Sequence, residues 1–150
     1  MRGTATELIN VPAHAVFDAL TSVERMGEWS PECTGGEWLS PSTEAAVGAR
    51  FVGHNKSGLL KWSTESVVTA LQVDRVFEFS SEGGTVWRYE FEPLNESTRV
   101  TESFTKSPGG AMGNFIDRWV LRREKGMIAG MQATLTRLKT VLEAERDGGR

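Results

Sequence analysis

Thr85-Val86-Trp87-Arg88-Tyr89-Glu90-Phe91-Glu92 sets three rings against three charges along one short stretch. A strand turns successive side chains to opposite faces, so Trp87, Tyr89 and Phe91 share one side while Arg88, Glu90 and Glu92 share the other. Such a strand has one apolar face and one wet face, the pattern of an antiparallel sheet covered on one side only. The turn composition Pro93-Leu94-Asn95 follows. Thr98–Phe104 then resumes the alternation, with Val100, Glu102 and Phe104 on the apolar side.

Moving back from this stretch, β runs separated by turn residues continue to Thr34. They are predicted at Gly35–Leu39, Arg50–Asn55, Leu60–Leu71 and Arg75–Ser80. Their turns fall at Lys56-Ser57-Gly58, Val73-Asp74 and Glu82-Gly83-Gly84. On the matching face lie Phe77 and Phe79 in one strand and Trp62, Thr64, Ser66 and Val68 in another. The first ten residues form a further strand, which brings the number predicted to seven. Between it and the β region, Pro12 at a first helical position and Ala13, Val16, Phe17 and Leu20 at helical spacing predict a short helix. Thr21 and Glu24 then have the spacing of a capping box that opens a second short helix ending before Pro31.

Beyond Ser107-Pro108-Gly109-Gly110 the period becomes helical. Ile116, Val120, Met127, Met131, Leu135, Leu138 and Leu142 keep one stripe up to the polar tail, with Phe115 and Trp119 beside it. Gly126 and Gly130 are unfavourable inside a helix, and close packing against the sheet is the expected reason for them, ahead of a soft joint. The expected class is α+β: a seven-stranded antiparallel curved sheet wrapped around a long C-terminal helix, with two short helices after strand one, as a single domain over residues 1–150.

Composition removes several functions. The chain has 150 residues, 39% hydrophobic and 25% charged, with one Cys, two His and a formal net charge of -3. One Cys and two His do not make a disulfide framework or a zinc site, and no metal or cofactor is expected. A net negative chain is not expected to bind nucleic acid. No apolar run of about 18 residues occurs, so no membrane span is expected and a cytoplasmic protein is the default. Five Trp and seven Phe stand against one Tyr. An apolar face so rich in rings, in a chain with few isoleucines, predicts a cavity between sheet and helix.

Several segments in this order resemble one family. They are Asn10-Val11-Pro12-Ala13, Glu28-Trp29-Ser30-Pro31-Glu32-Cys33, Val47-Gly48-Ala49-Arg50-Phe51-Val52-Gly53-His54-Asn55, Trp87 to Pro93 and Thr98 to Phe104. Together they resemble the polyketide cyclase/dehydrase family of the START-like, helix-grip superfamily often abbreviated SRPBCC. The resemblance implies a seven-stranded sheet gripping the C-terminal helix around a ligand cavity. It implies no single activity, since members bind or transform very different hydrophobic molecules.

The predicted ligand wall is Trp29, Phe51, Trp62, Phe77, Phe79, Trp87, Tyr89, Phe91, Phe104, Phe115, Trp119 and Met127, with Trp29 and Trp119 at the mouth. The candidates for proton transfer are Glu102 and Tyr89, followed by Glu65, Glu32, His54 and Arg50. Glu102 falls by alternation between Val100 and Phe104, where desolvation raises a carboxyl's pKa. The competing reading turns it outward or pairs it with an arginine. His54 and Arg50 fall on the opposite parity from Phe51. Three functions fit: binding of a hydrophobic or aromatic small molecule, catalysis of aldol-type cyclisation and dehydration, and a chaperone-activating or protein-binding module. The partner in the first is a polyketide- or lipid-like ligand, and a monomer or homodimer is expected.

Overall fold

The strand carrying Trp87 and the strand carrying Glu102 pair directly, with Trp87 opposite Phe104, Tyr89 opposite Glu102 and Phe91 opposite Val100. The computed structural model describes residues 1–106 and 117–148, apart from the side chains of 117–122. Its elements follow the predicted order: β1 (Arg2–Ile9), α1 (Ala13–Thr21), a 3-10 helix (Val23–Glu28), β2 (Cys33–Trp38), β3 (Arg50–Ser57), β4 (Leu60–Gln72), β5 (Val76–Ser81), β6 (Thr85–Leu94), β7 (Ser97–Lys106) and α2 (Asp117–Gly148). All seven strands join one antiparallel sheet in the order β1-β7-β6-β5-β4-β3-β2. Six of them form a meander of neighbours, and β1 crosses over to close the β7 edge.

The turns are built by the residues the sequence offers. Gly83 and Gly84 both adopt positive φ between β5 and β6, where a side chain would be strained. Asp74 and Asn95, whose short polar side chains tolerate the left-handed region, take the same role elsewhere. In β4 the register slips between Val68 and Ala70, so that Val68 faces Phe79 while Leu71 faces Phe77. One extra residue on β4 thus restores inward parity at the end of a long strand.

Two details at the N-terminal helices differ from expectation. Pro12 stands one residue ahead of α1, in extended conformation, and its carbonyl accepts from Ala15 and Val16. The predicted capping box does not form: Thr21 is the last residue of α1, and its hydroxyl donates back to the Phe17 carbonyl at 2.8 Å. The second short helix is accordingly a tight 3-10 helix without a side-chain cap.

The core has two ends of different character. Towards the C-terminal half of α2, Leu135, Leu138 and Leu142 pack with Ile9, Val16, Phe17 and Val100, all buried. Phe17 meets Phe91 edge to face at 5.8 Å. The helix lies tightly against the sheet at Gly3, where an added Cβ would lie 2.5 Å from Ile128 and 2.7 Å from Phe104. The close packing expected of Gly126 and Gly130 is not found, because a Cβ on either would meet nothing within 4 Å. Glycine is needed on the strand that receives the helix, not on the helix. No helix among the described residues is long and apolar enough to cross a membrane.

Candidate functional site

Between the inner face of the sheet and chiefly the first half of α2 lies a cavity of about 720 Å³. Volumes of this order hold small organic molecules. One wall is aromatic: Phe51 meets Phe79 edge to face at 5.1 Å, and Phe77 stacks on Tyr89 at 6.4 Å. A polar strip interrupts it, with Ser66 and Ser81 sharing a hydrogen bond of 3.0 Å and the Asn55 amide donating to the Thr64 hydroxyl at 3.2 Å. The helix contributes Met127, Met131, Thr134, Gly126 and Gly130. Trp29 closes another side, 2% exposed, and Arg25 lies 5.2 Å over its ring. The same guanidinium binds Glu28 and reaches across to Glu145 on α2, which fixes the 3-10 helix and its tryptophan to the end of the long helix.

Of the predicted wall, Trp29, Phe51, Trp62, Phe77, Phe79, Trp87, Tyr89 and Met127 line the cavity. Phe91 and Phe104 do not: both are buried behind it, Phe91 against Phe17 and Phe104 5.5 Å from Trp87. Alternation put all of these rings on one face, but the face is longer than the cavity, so the ends belong to the solid core. Phe115 lies outside the described residues, as does the side chain of Trp119, whose backbone belongs to α2. Trp38 leans on Phe51 at 5.5 Å and stays off the cavity surface.

The proton-transfer candidates separate in the same way. Glu102 is 2% exposed and lines the cavity. Its neighbour across the strands is Tyr89. Burial pushes the Glu102 carboxyl up to about 8, against the opposing pull of the Tyr89 phenol. The Tyr89 phenol is raised well above its ordinary value, first by desolvation and then by the carboxyl beside it. Glu102 Oε1 is a buried oxygen without a hydrogen-bond partner among the described residues. Arg50 pairs with Glu65 at 2.6 Å, and His54 lies between Ser63 and Glu37 at 3.0 and 3.3 Å. These groups are on the opposite face and play no part in the cavity. Glu32 is exposed at its rim.

Cys33, Asn55, Lys106 and Thr134 also line the cavity without having been singled out as wall residues. Asn55 shares parity with Phe51, and Lys106 with Glu102, so a longer reading of two strands finds both. Cys33 is held by its thiol donating to the Gly35 carbonyl at 3.1 Å, and burial pushes the thiol up, away from thiolate chemistry.

Comparison with known proteins agrees with this architecture. The model of a family described as polyketide cyclase/dehydrase and lipid transport matches residues 2–143. An uncharacterized protein of Mycobacterium tuberculosis, Rv0088, is 31% identical over 132 residues, which make up 87% of this chain. The matched region spans 59% of that relative's length. Among solved structures, a polyketide-cyclase-like protein of Corynebacterium glutamicum is 30% identical, with a TM-score of 0.72 over 98% of this chain and 94% of that one. An AHSA1-like protein of Aeromonas hydrophila is 20% identical, with a TM-score of 0.71 over 96% and 93%, and is alike in fold.

Proposed function

The chain belongs to the polyketide cyclase/dehydrase and lipid transport family, and from that premise we propose that it binds a hydrophobic or aromatic small molecule between the sheet and α2. The observation that carries this reading is the cavity of about 720 Å³, walled by Phe51, Phe77, Phe79, Trp87 and Met127. Removing rings and thioether from water against such a wall is favourable at roughly 25 cal/mol per Å² of apolar surface. A ligand of polyketide or lipid character matches both the apolar wall and the polar strip of Asn55, Thr64, Ser66 and Ser81. Native mass spectrometry of the protein purified from its own host tests the reading. A co-purified small molecule, lost on mutation of Phe79 or Trp87 to a smaller residue, is expected. Protein that carries no molecule, and a titration with aromatic hydrocarbons that leaves its tryptophan emission unchanged, would defeat it.

A second reading has an observation of its own. A carboxyl titrating near 8 can both give and take a proton near neutral pH, which is what enolisation and loss of water require. Glu102 is then the acid and base of a cyclase or dehydrase, and Tyr89 orients it. The discriminating variant is Glu102→Gln. In an enzyme it abolishes turnover of a poly-β-ketone thioester while leaving the affinity for apolar ligands in place. Unchanged product formation would remove the catalytic role.

A further inference from the structure

The turn between β3 and β4 carries an apolar residue where turns are ordinarily polar. Ser57 pairs with Leu60, so Gly58 and Leu59 form a two-residue connection, and Gly58 supplies the positive φ at its first position. Its second position is Leu59, where glycine, asparagine, aspartate or serine is usual. Leu59 is fully exposed, Leu60 is 66% exposed and Trp62 is 37% exposed. Single exposed leucines are ordinary on a protein surface, but three large apolar side chains within four positions of one hairpin are not. The hairpin also stands out from the sheet. β2 pairs with β3 only as far as Asn55, and β5 pairs with β4 only as far as Ser66, so residues 56–61 extend past both neighbouring strands.

The two faces of the hairpin differ. Leu60 and Trp62 share the parity of Thr64 and Ser66, and Trp62 continues into the cavity wall. Lys56 and Lys61 lie on the other face, directly opposite each other across the strands. Like charges so placed are destabilising, an arrangement that an anionic surface would relieve. Glu65 is held by Arg50 and Glu37 by His54, and neither lysine pairs with a carboxylate among the described residues. Glu32 meets Lys56 through the backbone, its carbonyl accepting from the Lys56 amide at 2.9 Å. The hairpin tip is thus locally positive in a chain of formal net charge -3.

We propose that this hairpin docks the protein on an anionic lipid bilayer, with Leu59, Leu60 and Trp62 entering the headgroup region and Lys56 and Lys61 meeting lipid phosphates. A narrow tip that projects from the sheet offers little of the broad area that a stable protein interface buries. It suits the boundary between headgroups and acyl chains. Tryptophan settles at headgroup depth, and lysine buries its stem while its ammonium stays with the phosphates. The separation of the two lysines from the apolar edge allows both contacts at once. Docking of this kind needs no spanning helix. It is independent of what the cavity holds, although a docked Trp62 brings one cavity wall to the lipid surface.

Co-sedimentation of the whole chain with lipid vesicles tests the proposal. Vesicles of equal parts phosphatidylcholine and phosphatidylglycerol should bind it at low salt, and pure phosphatidylcholine should bind it at least about tenfold more weakly, each lysine contributing roughly fivefold at an anionic surface. Added salt should weaken the anionic binding. Lys56→Gln combined with Lys61→Gln should remove the preference for phosphatidylglycerol. Leu59→Ser combined with Leu60→Ser should weaken binding at least about tenfold and leave the thermal midpoint in place. A measurement on wild type stands in should a variant misfold: lipid brominated along its acyl chains should quench the tryptophan emission of the bound protein. Absence of binding to both vesicles, equal binding to both, undiminished binding of the leucine variant, or unquenched emission would overturn the docking surface and leave the cavity reading standing. A dimer that the leucine variant abolishes, in protein that ignores vesicles, would also overturn it, because the hairpin would then meet a second copy.

Discussion

Glu102→Gln should stabilise the protein, and by an amount that grows with pH. The unfolded carboxyl titrates near 4.5 and the folded one near 8. Below the first value both states are protonated and the site contributes no pH dependence. Between the two, the unfolded chain loses its proton while the folded chain keeps it, so stability falls as pH rises; above about 8 the loss is complete. The gap corresponds to roughly 5 kcal/mol when fully developed and about 3 kcal/mol at pH 7, taking about 1.4 kcal/mol per unit. With Glu102 only 2% exposed, solvent screening does not erase an effect of this kind. Glutamine has the same shape and no ionisation, so its stability lacks this component. Urea unfolding of both proteins, followed by tryptophan emission at constant ionic strength from about pH 5 to about pH 9, measures the difference. The two stability curves should diverge by several kcal/mol towards alkaline pH. Parallel curves would refute the buried, uncompensated carboxyl on which the site is built.

Other expectations follow from neighbouring residues. Gly126→Ala and Gly130→Ala should each raise stability by about 1 kcal/mol, since the helix gains and no neighbour is displaced; a drop in the thermal midpoint would contradict the open space found there. Leu135→Ala, in the solid end of the core, should cost about 2–5 kcal/mol, and Met127→Ala, on the cavity surface, clearly less. Equal losses in denaturant titrations would mean that the cavity is filled by its own side chains. Cys33, buried with its thiol pushed up, should react with a chromogenic disulfide far more slowly in native protein than in urea. Immediate reaction in the native state would show that this wall is open.

The fold was legible because its signals are local and periodic. Trp87, Tyr89 and Phe91 alternate with charges, the turns carry Gly, Asn and Asp, and the helical stripe has no competitor. The cavity was legible in direction but not in extent: parity names the face a ring is on, whereas the distance to α2 decides whether the ring meets space or Phe17. Phe91 and Phe104 fell on the core side of that boundary. Glu102 was readable, because its parity with Val100 and Phe104 places a carboxylate on an apolar face. The role of the glycines was not, since composition does not distinguish a glycine that admits a neighbour from one that leaves room. The capping box is lost because α1 continues through Thr21 and uses that hydroxyl at its own end.

The crossover of β1 to the β7 edge also orders the events of folding. From β3 to β7, each strand pairs with its neighbour in sequence through a short turn, so these contacts form at small entropic expense. Ala5 and Glu102 face each other only by closing a loop of about 100 residues, the kind of contact that slows folding. The β1–β7 seam is therefore completed late, after the meander exists. Substitutions in the β5–β6 hairpin should slow refolding, whereas those at the β1–β7 seam should chiefly speed unfolding. The Tyr89–Glu102 pair belongs to the local β6–β7 hairpin, whereas the strand edge beside it waits for the longest closure in the sheet.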